Sequence, residues 1–202
     1  MFRIHTVAGL LPLLATAAGA FLQSWTSQVQ CPGSNAFIHA KCQAEVITAK
    51  ACPDVVAEVQ ARVAGAKSGH WQDPHNNGTY TALPSINAGM LQLTHLTGNG
   101  LYTDKLTLTL ETRSGGRCAM FGCSESQVTS FADASTNCCN LRMLLCGSEN
   151  NCRSVNGDLG TQELSITKSL GAGQDWQACF KTPVLDALPA AVEVAPMTYV
   201  QH

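Results

Sequence analysis

The sequence predicts an α+β fold in which N-terminal helices pack on an antiparallel sheet meander stabilised by disulfides. Three observations predict it. Val55, Val56, Val59 and Val63 fall at i, i+1, i+4 and i+8, an apolar stripe of helical period. From Trp71 onward the period shortens to two, most clearly where Leu106, Leu108 and Leu110 alternate with Thr107, Thr109 and Glu111. Ten cysteines, all between Cys31 and Cys179, form an even set of the kind that staples exported domains. A striped helix followed by a meander can bury its stripe only against the apolar face of the sheet.

Residues 1–20 carry Arg3 and His5, an apolar run from Val7 to Ala18, and the small residues Ala18-Gly19-Ala20, the pattern of a secretory signal peptide cleaved after Ala20. One disulfide-rich domain is expected over 21–182. Residues 183–202 read as a loosely ordered tail, because Pro183, Asp186, Pro189, Glu193 and Pro196 interrupt their apolar stretch. The same interruptions argue against a membrane span or a lipid-anchor signal. Pro32-Gly33 followed by Ser34 as N-cap opens an alanine-rich stretch to Ala51, read as a first helix. Cys52-Pro53-Asp54 restarts the pattern: Pro53 suits a first helical position and Asp54 complements a helix N-terminus, so a second helix is expected to end near Gly65. Strands are expected at 77–83, 90–97 and 102–112, the last two joined by a hairpin turn at Gly98-Asn99-Gly100. Ser114-Gly115-Gly116 then turns into a fourth strand from Arg117, carrying Cys118 and Cys123. The remainder offers a short helical run at 140–146, a loop rich in Gly and Asn at 147–160, a strand at 162–168 and a last segment at 176–181.

Composition narrows the function classes. With 12 Lys plus Arg against 14 Asp plus Glu, the chain lacks the basic surplus of a protein that binds nucleic acid by bulk charge. Only 13% of residues are charged and 45% are hydrophobic, enough apolar material for a core. The cysteine spacings are Cys42-x9-Cys52, Cys118-x4-Cys123, the adjacent Cys138-Cys139, Cys146-x5-Cys152, and the isolated Cys31 and Cys179. None is a C-x2-C pair able to place two thiolates on one zinc, so disulfides rather than a metal cluster are expected. Spacing leaves the pairing open, though neighbours such as Cys138 and Cys139 are expected to bond to different partners. Phosphate loops and dinucleotide fingerprints are lacking, and no cofactor is expected.

The stretch Gly69-His70-Trp71-Gln72-Asp73-Pro74-His75-Asn76-Asn77-Gly78-Thr79-Tyr80, with Tyr102-Thr103-Asp104-Lys105 and Cys123-Ser124-Glu125-Ser126-Gln127, resembles uncharacterised secreted cysteine-rich proteins of microalgae. The resemblance covers the middle of the chain and implies no activity. The order of helix then meander is also similar to the cystatin-like roll, a fold of protease inhibitors and binding modules. The inhibitors' Gln-x-Val-x-Gly loop is not matched: Gln60-Ala61-Arg62-Val63-Ala64-Gly65 is one residue too long and lies in the predicted helix, so that likeness carries no inhibitory role.

The most suggestive chemistry is His70, Asp73 and His75 beside Trp71, since two imidazoles and a carboxylate within six residues can ligate a metal or act as acid and base. Against this, Pro74 and Asn76-Asn77-Gly78 describe an exposed turn, and the expectation is a structural loop that binds no metal. Gly122-Cys123-Ser124-Glu125-Ser126 departs from a serine nucleophile elbow at its last position. Complete pairing of the cysteines leaves no thiol nucleophile. Asp73, Asp104, Glu111, Glu125 and Asp133 would serve glycoside hydrolysis if two of them met in space, and surface pairing is the commoner fate. Trp71, Tyr80, Tyr102 and Trp176 are candidates for a sugar-binding surface, although the core needs most aromatic residues. Asn77-Gly78-Thr79 is the only N-x-[ST] sequon and is expected to be exposed and glycosylated. The functional expectation is a secreted, non-catalytic module that binds an extracellular protein, glycan or cell-wall component. The alternative is a small secreted hydrolase using His70 or His75 with Asp73 or Glu125, which would require those side chains to converge in one pocket.

Overall fold

A computed structural model describes residues 29–84 and 89–180; the expected signal peptide and the tail at 183–202 lie outside the described residues. The chain runs β1 (Lys41–Thr48), α1 (Cys52–Ser68), β2 (Thr79–Ala82), β3 (Met90–Leu96), β4 (Thr103–Thr112), β5 (Cys118–Ser126), α2 (Thr136–Leu145) and β6 (Thr161–Lys168). All six strands form one antiparallel sheet in the order β2-β3-β4-β5-β1-β6. The α+β class is therefore as the sequence predicts, and the meander β2 to β5 follows α1 as expected.

The first predicted helix is instead β1. Its residues alternate between half-buried and buried, with Cys42, Ala44, Val46 and Thr48 inward. The alanines that suggested a helix lie mostly outside the strand, which holds only Ala44 and ends in the β-branched run Val46-Ile47-Thr48, and the segment is hydrogen-bonded on both sides, to β5 and to β6. α1 begins at Cys52-Pro53 and passes the expected stop at Gly65 to end at Ser68, where Gly69 takes the left-handed conformation at φ 78°. Val55, Val59 and Val63 are buried, and with Leu106, Leu108, Met120, Leu141 and Leu144 they form one core. Thr107, expected to face solvent, is buried because the extended residues 30–33 cross the other face of the sheet. Its hydroxyl donates to the Gln30 carbonyl, and Cys31 is bridged to Cys123 two positions from Glu125, which accepts from the Gly33 N–H at 2.6 Å.

The described residues contain five disulfides and no free cysteine: Cys31–Cys123, Cys42–Cys138, Cys52–Cys118, Cys139–Cys179 and Cys146–Cys152. The neighbours Cys138 and Cys139 do take different partners, tying α2 to β1 on one side and to the 3-10 turn Gln177–Phe180 on the other. A buried ion pair makes the second tie. Arg62 on α1 donates to Glu58 at 2.7 Å and to the Met143 and Cys146 carbonyls at 2.8 and 2.7 Å, closing the C-terminal end of α2. Glu58 also accepts from the Val155 and Asn156 N–H groups, at 2.8 and 2.7 Å. Burial alone would raise the Glu58 pKa, but these N–H groups and Arg62 outweigh it and lower the carboxyl below its ordinary range. Among the described residues no helix is long and apolar enough to cross a membrane.

The loop lengths set the relative weight of the bridges. Cys42–Cys138 spans 96 residues, so removing both its cysteines is expected to lower stability by about 4 to 5 kcal/mol on the loop-entropy model. Cys146–Cys152 spans 6, for which the same model gives about 2 kcal/mol. Urea unfolding of the two double serine variants checks the order, and a larger loss for the short loop would contradict it.

Candidate functional site

The site grows from one end of the β3–β4–β5 meander. The same alternation that points Leu106, Leu108 and Leu110 inward puts Asp104 on the inner face of β4. The register sets it opposite His95 on β3 and Ser126 on β5. His95 is completely enclosed and sits between two carboxylates: its Nδ1 is 3.3 Å from Asp104 Oδ2 and its Nε2 is 3.3 Å from Asp73 Oδ2. A neutral imidazole has one N–H and would turn a lone pair toward one carboxylate, whereas the imidazolium donates to both. Burial pulls the His95 pKa down, but the hydrogen bonds from Asp104 and then Asp73 outweigh it and raise the group above its ordinary value. Tyr80 packs its ring against His95 at 4.7 Å. Its own hydroxyl is pushed well above the usual phenol range, by burial first and by the two carboxylates next.

Asp104 is closed on its other sides as well. Ser126 Oγ donates to Oδ1 at 2.9 Å and Asn140 Nδ2 to Oδ2 at 2.8 Å. The chain of bonds continues through Asn137 to Ser126 at 2.9 Å and from Ser124 to Asn137 at 2.8 Å. β5 and α2 are thus wired together through polar side chains in the core.

Above this network lies a cavity of about 600 Å³ between the β3–β4 turn and the 126–136 segment. Its lining includes Asp104, Ser126, His75, Thr136, Asn99, Tyr102 and Phe131. Tyr102 is 51% exposed and Phe131 74%. His75 Nδ1 donates to the Ala178 carbonyl at 2.7 Å, which leaves Nε2 of a neutral ring to accept from Thr136 Oγ1 at 3.1 Å. Thr136 opens α2, yet the N–H groups of that helix start are taken. Asp133 accepts from the Ser135 and Asn137 N–H groups at 3.0 and 3.1 Å, and its carbonyl from the Thr136 N–H at 2.8 Å.

The residues singled out from the sequence separate. His70 is exposed and meets Ser68 Oγ at 2.8 Å. Asp73 and His75 share the loop before β2, where Asp73 Oδ1 accepts from the His75 N–H at 2.9 Å, but their side chains point to different partners. Glu125 belongs to the opposite face of the sheet with Gly33, His39 and Lys41. Its oxygen, Cys31 Sγ and Cys123 Sγ lie within 4.8 Å of one another, but both sulfurs are spent in a disulfide. The expectation of an exposed turn at 73–78 needs correction: Asp73, Pro74 and His75 are buried, and only Gln72 and Asn77 face solvent there. Ser124 sits on a straight strand rather than an elbow and is fully buried. Asp73 and Asp104 do meet among the carboxylates, but across His95 rather than across a substrate. Of the four aromatic candidates, Trp71 and Tyr80 are core and Trp176 lies against Arg142, leaving Tyr102 at the cavity. Sequence reasoning missed His95, although continuing the Leu91-Leu93 alternation by one step places it on the inner face.

Two measurements follow from the trio. Partnership raises the folded-state pKa of His95, so its contribution to stability is complete below about pH 6.5 and is lost as pH rises through the raised value. Resistance to urea is expected to fall as pH rises above about 6.5 through the raised value. His95→Gln, which cannot titrate, should be less stable and lose that part of the slope; a slope unchanged in the variant would place the titration elsewhere. A Cβ at Gly78 would lie 2.0 Å from His95 Nε2, so Gly78→Ala is expected to cost roughly 1 to 3 kcal/mol, read from the same unfolding curves. Comparison of the chain with protein-family models, curated proteins and solved structures finds no match, and the function is read from this geometry.

Proposed function

We propose that the chain is a secreted, non-catalytic binding module that holds an extracellular ligand in the cavity between the β3–β4 turn and the 126–136 segment. The observation that carries this reading is a cavity whose reactive groups are already occupied. Its volume of about 600 Å³ lies within the range of small-molecule sites. Asp104 and Ser126 are bonded into the core, and Asp133 fills the helix N-terminus where an oxyanion would be stabilised. Five disulfides with no free cysteine among the described residues fit an oxidising, extracellular setting. The exposed Asn77, at φ 58° on the loop leading to β2, is accessible to a glycosyltransferase.

The Thr136–His75 contact is the one feature that favours a hydrolase, now with different partners from the Asp73 and Glu125 of the sequence reading. Chromogenic acetate ester, glycoside and peptide substrates discriminate. The expected result is no turnover above buffer for the wild type or for Thr136→Val. Turnover by the wild type that disappears in Thr136→Val would overturn the binding reading. Stoichiometric zinc lost on His75→Ala would overturn the assignment of His75 as a structural residue. Protein from a eukaryotic secretory host is expected to lose mass on treatment with an N-glycosidase, and Asn77→Gln to abolish that loss. An unmodified Asn77 would contradict the glycosylation.

A further inference from the structure

We infer that the cavity takes a neutral saccharide, an inference that rests on the binding reading above. Among the described residues the cavity lining contains no lysine or arginine, so no fixed cation from them compensates the desolvation of a phosphate, sulfate or uronate. Nor is it built for a cation. Asp133 is saturated by the N–H groups of Ser135, Asn137 and Gly173 and by the Asn137 amide, and Asp104 by Ser126, Asn140 and His95. What the lining offers is hydroxyl and carboxamide chemistry from Thr97, Asn99, Thr129, Ser130 and Thr136, donors and acceptors together, as adjacent sugar hydroxyls require.

Tyr102 and Phe131 line the same cavity and are 51% and 74% exposed, so two aromatic faces are accessible beside its hydroxyl and carboxamide groups. The C–H face of a pyranose is apolar and stacks on such a ring while its hydroxyls reach polar neighbours. Polar and aromatic lining together suit an amphipathic ring of sugar size.

The test is titration of the intact, ¹⁵N-labelled protein with cellotriose, chitotriose and mannotriose, beside trigalacturonate and a neutral tetrapeptide. Amide shifts at residues 97–102 and 128–136 report the cavity. At least one neutral trisaccharide is expected to move both segments, with affinity about tenfold lower in Tyr102→Ala and in Phe131→Ala. Both side chains are exposed, so the variants should keep the fold, which their unperturbed spectra elsewhere would verify. The inference is overturned if no neutral trisaccharide moves these amides, if trigalacturonate or the peptide binds there as well as the best neutral sugar, or if both variants bind like the wild type. Such a failure leaves the binding reading standing; only turnover in the substrate panel removes that.

Discussion

Asp73, His95 and Asp104 place three ionisable groups in one enclosed contact, and the surrounding polar residues answer to it. An ionised carboxylate taken out of water costs several kcal/mol unless its lone pairs are met. Here one His95 ring lies between both acids, and the remaining oxygens are met by Ser126 from β5, Asn140 from α2 and the His75 N–H from the loop before β2. Elements far apart in sequence are thereby held to one geometry.

That geometry requires α2 to be fixed, and α2 is only ten residues long. A helix of that length is marginal by itself in water. Each of its ends is satisfied from outside by a charge of the helpful sign. The Asp133 carboxylate accepts the N-terminal N–H groups, and the Arg62 guanidinium donates to the C-terminal carbonyls. The adjacent cysteines then bind the helix covalently on both flanks, through Cys42 and Cys179. Charge, hydrogen bonding and disulfides converge on α2, whose first residue, Thr136, lines the cavity.

On the proposed binding reading, the cavity offers neutral polar groups and the exposed rings of Tyr102 and Phe131, while Asp104, Ser126 and Asp133 are engaged in hydrogen bonds within the fold. Lining groups held in place in this way reduce the ordering that a ligand would otherwise impose.

Local pattern determined a good part of this protein. The valine stripe with Pro53 marked α1 though not its end at Ser68, the alternation of Leu106, Leu108 and Leu110 marked β4, and the glycine turns placed the meander, because each signal resides in a few consecutive side chains. The even cysteine count likewise indicated a disulfide framework. Tertiary structure decided that residues 41–48 form a strand between β5 and β6, since the alanines at 36, 40, 44, 49 and 51 gave the wider stretch a helical look and the pairing partners lie far away in sequence. It also decided which cysteines pair, and that His95 meets Asp104 while His70 and Glu125 remain apart. Those outcomes depend on strand register and on α2 crossing the sheet, and register is a property of two segments together, which neither segment carries by itself.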